Sequence, residues 1–135
     1  MEQERMTHLV RSEEDIVAIR HLVREWAVRL GMGLVDQTKL VTAASELTRN
    51  ILRHAGGDGR VVLEFVQRNL RKGLRLIFED HGPGIPDIDK AMQDGFSTGN
   101  GLGLGLGGAR RLVDEFEIQS QVGRGTRVAI VRWAS

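Results

Sequence analysis

Two polar residues one helical turn apart are the first candidates for chemistry in this sequence. Glu46 and Asn50 stand four positions apart, so their side chains project side by side if the segment is a helix. A carboxylate can take a proton or hold a water molecule, and an amide oxygen can ligate Mg²⁺. Taken alone, such a pair is more often an incidental polar flank of a helix.

An aspartate at the end of an apolar run is the second candidate. Asp80 precedes a short turn that contains Gly82, Pro83, Gly84 and Pro86. We expect Asp80 to leave the end of a strand and to accept a hydrogen bond from an exocyclic amine. The two glycines would let a flat ligand approach the backbone. Judged alone, such a segment is more often a plain strand-ending turn.

Glycines that alternate with leucines form the third candidate. The chain has 17 glycines, where average usage would give about 9, and seven of them lie within residues 95–108. Glycine at every second position frees backbone N–H groups to face an anion, and a following helix adds its positive N-terminal end. We therefore predict a phosphate-binding loop anchored to the core by its leucines. Its residues are Gly101, Leu102, Gly103, Leu104 and Gly105, and Arg110 follows closely enough to reach a phosphate.

Composition excludes several other kinds of site. The chain has no cysteine, which excludes disulfides, zinc–thiolate sites and thiol nucleophiles. Its four histidines lack metal-ligand spacing, so we interpret them as surface or packed residues. A net charge of +1 and 4% aromatic residues argue against a nucleic-acid surface. Apolar runs too short for a membrane span and a start without a signal peptide favour a cytoplasmic protein.

The elements that must position these residues follow from periodicity and turn signals. The patterns predict helices over 12–30, 36–55, 87–92 and 104–114, and a loop over 95–103. They predict strands over 7–11, 60–69, 74–80, 115–121 and 124–133, with hairpin turns at 71–73 and 122–123. No repeat or linker interrupts the chain, so residues 1–135 are predicted to form one α+β domain, a two-layer sandwich with helices on one face of a mostly antiparallel sheet.

The order of the three motifs is more specific than any one of them. E-x-x-x-N on a helix is followed by D-x-G-P-G after a strand, and then by G-x-G-L-G-L before a helix. This order resembles the GHKL ATPase superfamily, whose members share the Bergerat ATP-binding fold. Within it, residues 45–50, 82–87, 101–105 and 108–116 are similar to the RsbT-type serine/threonine switch kinases of bacterial stressosomes. Gly107 departs from the pattern, because many relatives have proline there.

The resemblance implies ATP and Mg²⁺ as cofactors and assigns a role to each matching residue. Glu46 would be the general base on the substrate hydroxyl, and Asn50 would ligate the Mg²⁺ that bridges the phosphates. Asp80 would bind the adenine amino group, with Gly84 allowing the ring to approach and Thr126 supporting the adenine site. The amides of Gly101, Gly103 and Gly105 would hold the phosphates, in a lid over residues 94–103.

The resemblance also implies protein partners. The expected substrates are STAS-domain scaffold or antagonist proteins of a stressosome, and the released kinase is expected to activate a PP2C-type phosphatase. Three alternatives stay open. The chain could be an anti-sigma-factor kinase that sequesters a sigma factor, an ATPase fragment of a histidine kinase, or a nucleotide-binding interaction protein without catalysis. The short segment before the predicted ATP-binding motifs argues against the histidine kinase, because it offers no phosphoacceptor helix pair.

Overall fold

A layer of α-helices packs against a five-stranded sheet in this protein. A computed structural model describes residues 4–56, 58–93 and 105–134. The elements in these ranges are β1 (Arg5–Val10), α1 (Glu13–Leu30), α2 (Leu34–Ala55), β2 (Gly59–Arg68), β3 (Arg71–Asp80), α3 (Ile88–Ala91), α4 (Leu106–Arg111), β4 (Glu115–Gln121) and β5 (Gly125–Trp133). The strand order is β1-β2-β3-β5-β4, and all neighbouring strands are antiparallel. The predicted α+β fold class is confirmed.

Helix α1 begins and ends where the sequence predicts. The Oδ2 atom of Asp15 accepts hydrogen bonds from the backbone N–H groups of Ser12 (3.0 Å) and Arg11 (2.7 Å). The bond from Arg11 is the main reason why the pKa of Asp15 lies below its usual value. At the other end Gly31 adopts a left-handed conformation with φ 87°, as glycine commonly does after a helix.

Helix α2 lies across the middle of the sheet and carries the first candidate pair. Its buried face includes Leu40, Ala44, Leu47 and Ile51, which recur at helical spacing. Thr48 is the one buried polar side chain among the described residues, and its hydroxyl donates a hydrogen bond to the Ala44 carbonyl oxygen (2.7 Å). The helix is therefore fixed against the core along one side, and its polar flank faces the ends of the central strands.

The sheet brings two candidate residues side by side. Leu74, Leu76 and Phe78 of β3 are buried in the core that faces the helices, which confirms the predicted alternation. In the β3–β5 register Asp80 stands opposite Thr126. Directly paired residues project from the same face of a sheet with their Cβ atoms about 5 Å apart. The end of this strand pair therefore presents a carboxylate and a hydroxyl together.

The first hairpin differs from the prediction. The turn lies at Asn69 and Leu70, where Asn69 has φ 57°, and the predicted turn residue Gly73 lies inside β3. A Cβ atom on Gly73 would lie 2.7 Å from the Trp133 ring. This glycine therefore makes room for an aromatic ring, which single-sequence turn signals do not distinguish from a turn.

The last helix is shorter than the predicted span over 104–114. Helix α4 ends at Arg111, and Asp114 then accepts a hydrogen bond from the Trp133 backbone N–H (2.7 Å). That tie turns the chain into β4 instead of a further helical turn. The predicted loop over 95–103 lies outside the described residues. Within the described ranges, no helix has the length and apolar character needed to cross a membrane.

Candidate nucleotide-binding site

A cavity lies between helix α2, the ends of β3 and β5, and the start of α4. Its apolar lining includes Phe78, Ile85, Leu106 and Val128. Its polar lining consists of Asn50, His54, Asp80 and Thr126. An apolar cleft with a few convergent polar groups is typical of sites for small organic ligands. The arrangement suits a flat ring with a small number of hydrogen-bonding groups.

Asp80 is held at the mouth of this cavity by the turn that follows it. The backbone N–H of Gly82 donates a hydrogen bond to Asp80 Oδ1 (2.9 Å). A carboxylate has two oxygens that accept hydrogen bonds, so this bond orients the group and uses one of them. The second oxygen can accept a hydrogen bond from a ligand, and that Asp80 does so stays a prediction.

The two glycines of the turn have contacts that the sequence did not indicate. A Cβ atom on Gly82 would lie 2.8 Å from the backbone of Ala55, and one on Gly84 would overlap the carbonyl oxygen of Gln121. Gly84 also has φ 79°. Both glycines therefore allow the turn to pack closely against protein backbone. Gly84 lines the cavity as well, and the predicted ligand contact of either glycine stays a prediction.

Hydrogen bonds tie the same turn to the β4–β5 hairpin. The N–H of Gly123 donates to the Pro83 carbonyl oxygen (2.8 Å), and the N–H of Ile85 donates to Ser120 Oγ (2.8 Å). Ser120 Oγ also lies 2.8 Å from Thr126 Oγ1. The cavity wall that contains Thr126 is thus coupled to the turn after Asp80. The sequence analysis missed Ser120, because a serine in a solvent-edge strand gives no signal of its own.

Glu46 and Asn50 occupy different parts of the site. Asn50 lines the cavity, whereas Glu46 lies one turn earlier on α2, beside Gly105 at the start of α4. A Cβ atom on Gly105 would lie 2.8 Å from Glu46 Oε2. The other carboxylate oxygen of Glu46 accepts a hydrogen bond from Arg49 Nη1 (3.1 Å). Asn50 therefore lies at the cavity, and Glu46 lies beside Gly105, the described end of the segment that was predicted to bind phosphates.

His54 follows Glu46 and Asn50 at the same four-residue spacing on α2, and the sequence did not predict it as a site residue. It stands four residues after Asn50 and lines the cavity. Partial burial lowers the pKa of His54, and the charge of Arg53 lowers it further, while the nearby Asp80 carboxylate opposes the shift. The i, i+4 spacing from Asn50 was available in the sequence, but the histidines were judged only by metal-ligand spacing.

The predicted phosphate-binding residues are only partly described. Gly101, Leu102, Gly103 and Leu104 lie outside the described residues, as does the predicted lid over 94–103. Gly105 precedes α4 with φ 66°. Arg110 is exposed on α4 and does not line the cavity, so the structure does not bring it together with the other candidates.

A divalent cation at this site would need ligands from a bound nucleotide. No group of three His, Asp or Glu side chains within the described ranges could hold a metal by itself. Mg²⁺ is commonly bound through one or two protein oxygens together with phosphate oxygens and water. The amide oxygen of Asn50, the predicted Mg²⁺ ligand, fits that pattern of partial protein coordination.

Comparison with known proteins identifies the family of this site. The profile of the histidine kinase-, DNA gyrase B-, and HSP90-like ATPases matches residues 35–133. The chain belongs to this ATPase family. The GHKL resemblance inferred from the motifs is confirmed.

Two curated relatives refine the comparison. The chain is 52% identical over 124 residues to the serine/threonine-protein kinase RsbT of Bacillus subtilis (strain 168), covering 92% of each chain. It is 29% identical over 133 residues to an anti-sigma F factor of Thermoanaerobacter sp. (strain X514), covering 95% of this chain and 91% of that one. Both relatives are similar to the chain over nearly their whole length.

Solved structures agree on the fold. A structure of the RsbU and RsbW domains of Rv1364c from Mycobacterium tuberculosis matches with a TM-score of 0.65 and 21% identity, over 99% of this chain and 33% of that one. The catalytic domain of the histidine kinase ThkA matches with a TM-score of 0.56 and 16% identity, over 99% of both chains. At these identities the matches carry the fold alone, and they place the sheet and helices within the ATPase family's architecture.

Proposed function

We propose that this chain is an ATP- and Mg²⁺-dependent protein serine/threonine kinase that phosphorylates STAS-domain stressosome or anti-sigma antagonist proteins. The observation that carries the proposal is the cavity with Asp80 and Thr126 on one wall and Asn50 on another, next to Glu46. The enzyme class also rests on the 52% identity to a serine/threonine-protein kinase. The chain is the size of a single kinase domain of this type, and a cytoplasmic location suits such a protein.

Adenine recognition is proposed for the wall formed by β3 and β5. The Asp80 oxygen that does not accept from Gly82 would accept a hydrogen bond from the exocyclic amine of adenine. Thr126, opposite Asp80 in the sheet register, would complete the edge that contacts the ring. The apolar lining by Phe78 and Val128 supplies faces on which an aromatic ring is sheltered from water.

The phosphates would extend from this wall towards the start of α4. Asn50 would contribute its amide oxygen to Mg²⁺, whose remaining ligands would be phosphate oxygens and water. Backbone amides of Gly101, Gly103 and Gly105 would hold the phosphates, with Leu102 and Leu104 anchoring the loop. Arg110 of α4 does not line the cavity, and its predicted contact with a phosphate stays a prediction.

Glu46 is proposed as the base for the transfer step. The substrate hydroxyl oxygen would form a bond to the γ-phosphorus while the bond to the β-phosphate bridging oxygen breaks and ADP leaves. The hydroxyl proton would pass to the Glu46 carboxylate. Transfer of this kind depends mainly on positioning and charge neutralisation. Arg49, which donates to Glu46 Oε1, would hold the carboxylate in place and leave Oε2 for the proton.

A kinase assay tests this proposal directly. The full chain is incubated with labelled Mg-ATP and a purified STAS-domain protein, and labelled serine or threonine is measured. Glu46→Gln should reduce the transfer rate by about 100-fold or more while ADP still binds. Glu117→Gln is the matched control, because Glu117 is an exposed glutamate of β4 that does not line the cavity.

Two results would contradict the proposal. Absence of transfer by the wild type would exclude this STAS-domain protein as the substrate, and unchanged transfer by Glu46→Gln would exclude the proposed base.

Asp80→Asn should weaken ADP binding in calorimetry. An asparagine side chain has one acceptor oxygen and one NH₂ donor, so it cannot accept from both Gly82 and the adenine amine as a carboxylate can. Unchanged affinity would remove Asp80 from the adenine site.

A second function is favoured by a specific observation. Several relatives of 28–30% identity are named anti-sigma F factors, so sequestration of a sigma factor is the alternative. Co-purification with a sigma factor would favour that alternative. Stimulation of a purified PP2C-type phosphatase by the free chain, without sigma-factor binding, would favour the switch-kinase function.

A further inference from the structure

The hydroxyl of Ser120 lies between the turn that follows Asp80 and the proposed adenine wall, where it contacts Ile85 and Thr126. We infer that Ser120 is a positioning residue that fixes the hydrogen-bonding direction of Thr126, so that the wall presents acceptors to the purine. This inference rests on the proposed function of the cavity as an ATP site. It concerns which purines the site accepts, and it involves a residue that lies outside the cavity lining.

Counting protons around Ser120 gives the direction of each hydrogen bond. Its Oγ has three partners, namely the Ile85 N–H (2.8 Å), the Gly125 carbonyl oxygen (3.2 Å) and Thr126 Oγ1 (2.8 Å). A backbone N–H can only donate and a carbonyl oxygen can only accept. For all three contacts to be hydrogen bonds at once, the single Ser120 proton goes to Gly125, and its lone pairs accept from Ile85 and from the Thr126 hydroxyl.

The consequence is that the Thr126 proton is used inside the protein. Its oxygen can offer only lone pairs to a ligand in the cavity that it lines. Its neighbour across the strands, Asp80, is a carboxylate with one oxygen already oriented by Gly82, and an ionised carboxylate only accepts. The two side chains together form an acceptor-only edge.

An acceptor-only edge discriminates between purines at ring position 6. An amino group there has two N–H bonds, so with both acceptors facing position 6 it can donate one hydrogen bond to Asp80 and one to Thr126. An oxo group places its lone pairs against those of Asp80 and Thr126, which leaves polar groups unpaired in a partly buried site. The site should therefore prefer adenine over hypoxanthine nucleotides, and Ser120 should maintain part of that preference.

Calorimetric titration of the full chain with ADP and with IDP tests this inference. In wild-type protein we expect ADP to bind at least about tenfold more tightly than IDP. In Ser120→Ala the Thr126 hydroxyl is free to rotate and donate, so the ratio of the two dissociation constants should fall by about fivefold. Ser120→Thr keeps a hydroxyl at this position and should restore the wild-type ratio.

A purely structural role for Ser120 predicts a different result. Loss of the Ile85 hydrogen bond alone loosens the turn and weakens both nucleotides by the same factor. An unchanged ratio in Ser120→Ala would therefore overturn the inference, even if both affinities fall. In a Thr126→Val background Ser120→Ala should not change the ratio further, because no hydroxyl remains to rotate.

The titration also separates this inference from the proposed function. If wild-type protein binds neither nucleotide, the ATP site itself is wrong and the inference falls with it. If ADP and IDP bind wild-type protein equally, the ATP site survives and the acceptor-only edge is excluded.

Discussion

At each end of strand β3 a glycine allows a close approach between β3 and β5, but the two approaches have different results. At one end Gly73 has no side chain, so the Trp133 ring lies against the strand. At the other end Gly125, with φ 113°, lets β5 approach so closely that a Cβ atom there would overlap the Asp80 carbonyl oxygen. The first approach fills the available space with the protein's own ring. The second leaves a cavity lined by Asp80 and Thr126.

Polar groups show the same contrast. At the filled end the Trp133 Nε1–H donates to Glu115 (3.1 Å), which also accepts from Arg68 (2.9 Å). The guanidinium groups of Arg68 and Arg71 lie 5.1 and 5.0 Å from the centre of a Trp133 ring. At the cavity end the described residues supply one side-chain hydrogen bond to Asp80 (from Gly82) and one to Thr126 (with Ser120), and both side chains keep acceptor capacity. At the filled end the polar groups are therefore paired within the protein, whereas the cavity end keeps acceptors that a ligand could use.

The largest expected effect comes from adding a side chain to Gly125, where β5 lies closest to Asp80. Gly125→Ala should lower the free energy of unfolding by about 3 kcal/mol or more, because the new Cβ meets the Asp80 carbonyl and the backbone conformation is strained. ADP binding by the folded fraction should fall as well, since Asp80 and Thr126 are displaced. Denaturant unfolding and calorimetry measure the two effects.

The matched control is Gly123→Ala in the same hairpin. Gly123 also has a positive φ of 83°, but a Cβ atom there would meet nothing within 4 Å. Its cost should be limited to backbone strain of about 1 kcal/mol. Equal costs for the two variants would show that the close approach to Asp80 does not matter.

The sequence predicted most of this fold because its signals are local. The heptad-like spacing of Leu40, Ala44, Leu47 and Ile51 defines α2, and glycine at position 31 ends α1. The alternation of Leu74, Leu76 and Phe78 defines the buried face of β3. Each pattern depends on residues within one element, so no knowledge of tertiary contacts is needed.

The wrong or missing predictions concern residues whose role depends on contacts with residues distant in the sequence. Gly73 resembles a turn residue until its partner across the sheet, Trp133, is known. Ser120 has no local pattern, and its contacts with Ile85, 35 residues earlier, exist only in the folded sheet. The place of Thr126 at the adenine site was likewise implied by the family resemblance and not by spacing, and its pairing with Asp80 is seen only in the folded sheet.

A smaller effect is expected at the filled end. Trp133→Phe removes the hydrogen bond to Glu115 and part of the buried ring, which should lower the free energy of unfolding by about 1–2 kcal/mol. ADP affinity should be unchanged, because Trp133 lies at the opposite end of β3 from Asp80. A change in ADP affinity at constant folded fraction would show that the two ends are coupled.

The smallest expected effect is a change in the pH dependence of stability. Burial lowers the pKa of His54 in the folded protein below its ordinary value of 6.5. Between these two pKa values the unfolded chain binds a proton at His54 that the folded chain does not. Stability is therefore lost as the pH falls below about 6.5 and is fully present above it.

Unfolding measured between about pH 5 and about pH 7.5 should show this slope in the wild type and a shallower one in His54→Gln. His21→Gln is the control for removal of an imidazole, because His21 is exposed on α1. An equal slope in the wild type and His54→Gln would mean that the cavity end does not restrict the charged form of His54. Since the cavity holds His54 within reach of the Asp80 carboxylate, which favours that charged form, a measurable slope would show that burial in the cavity wall outweighs the attraction.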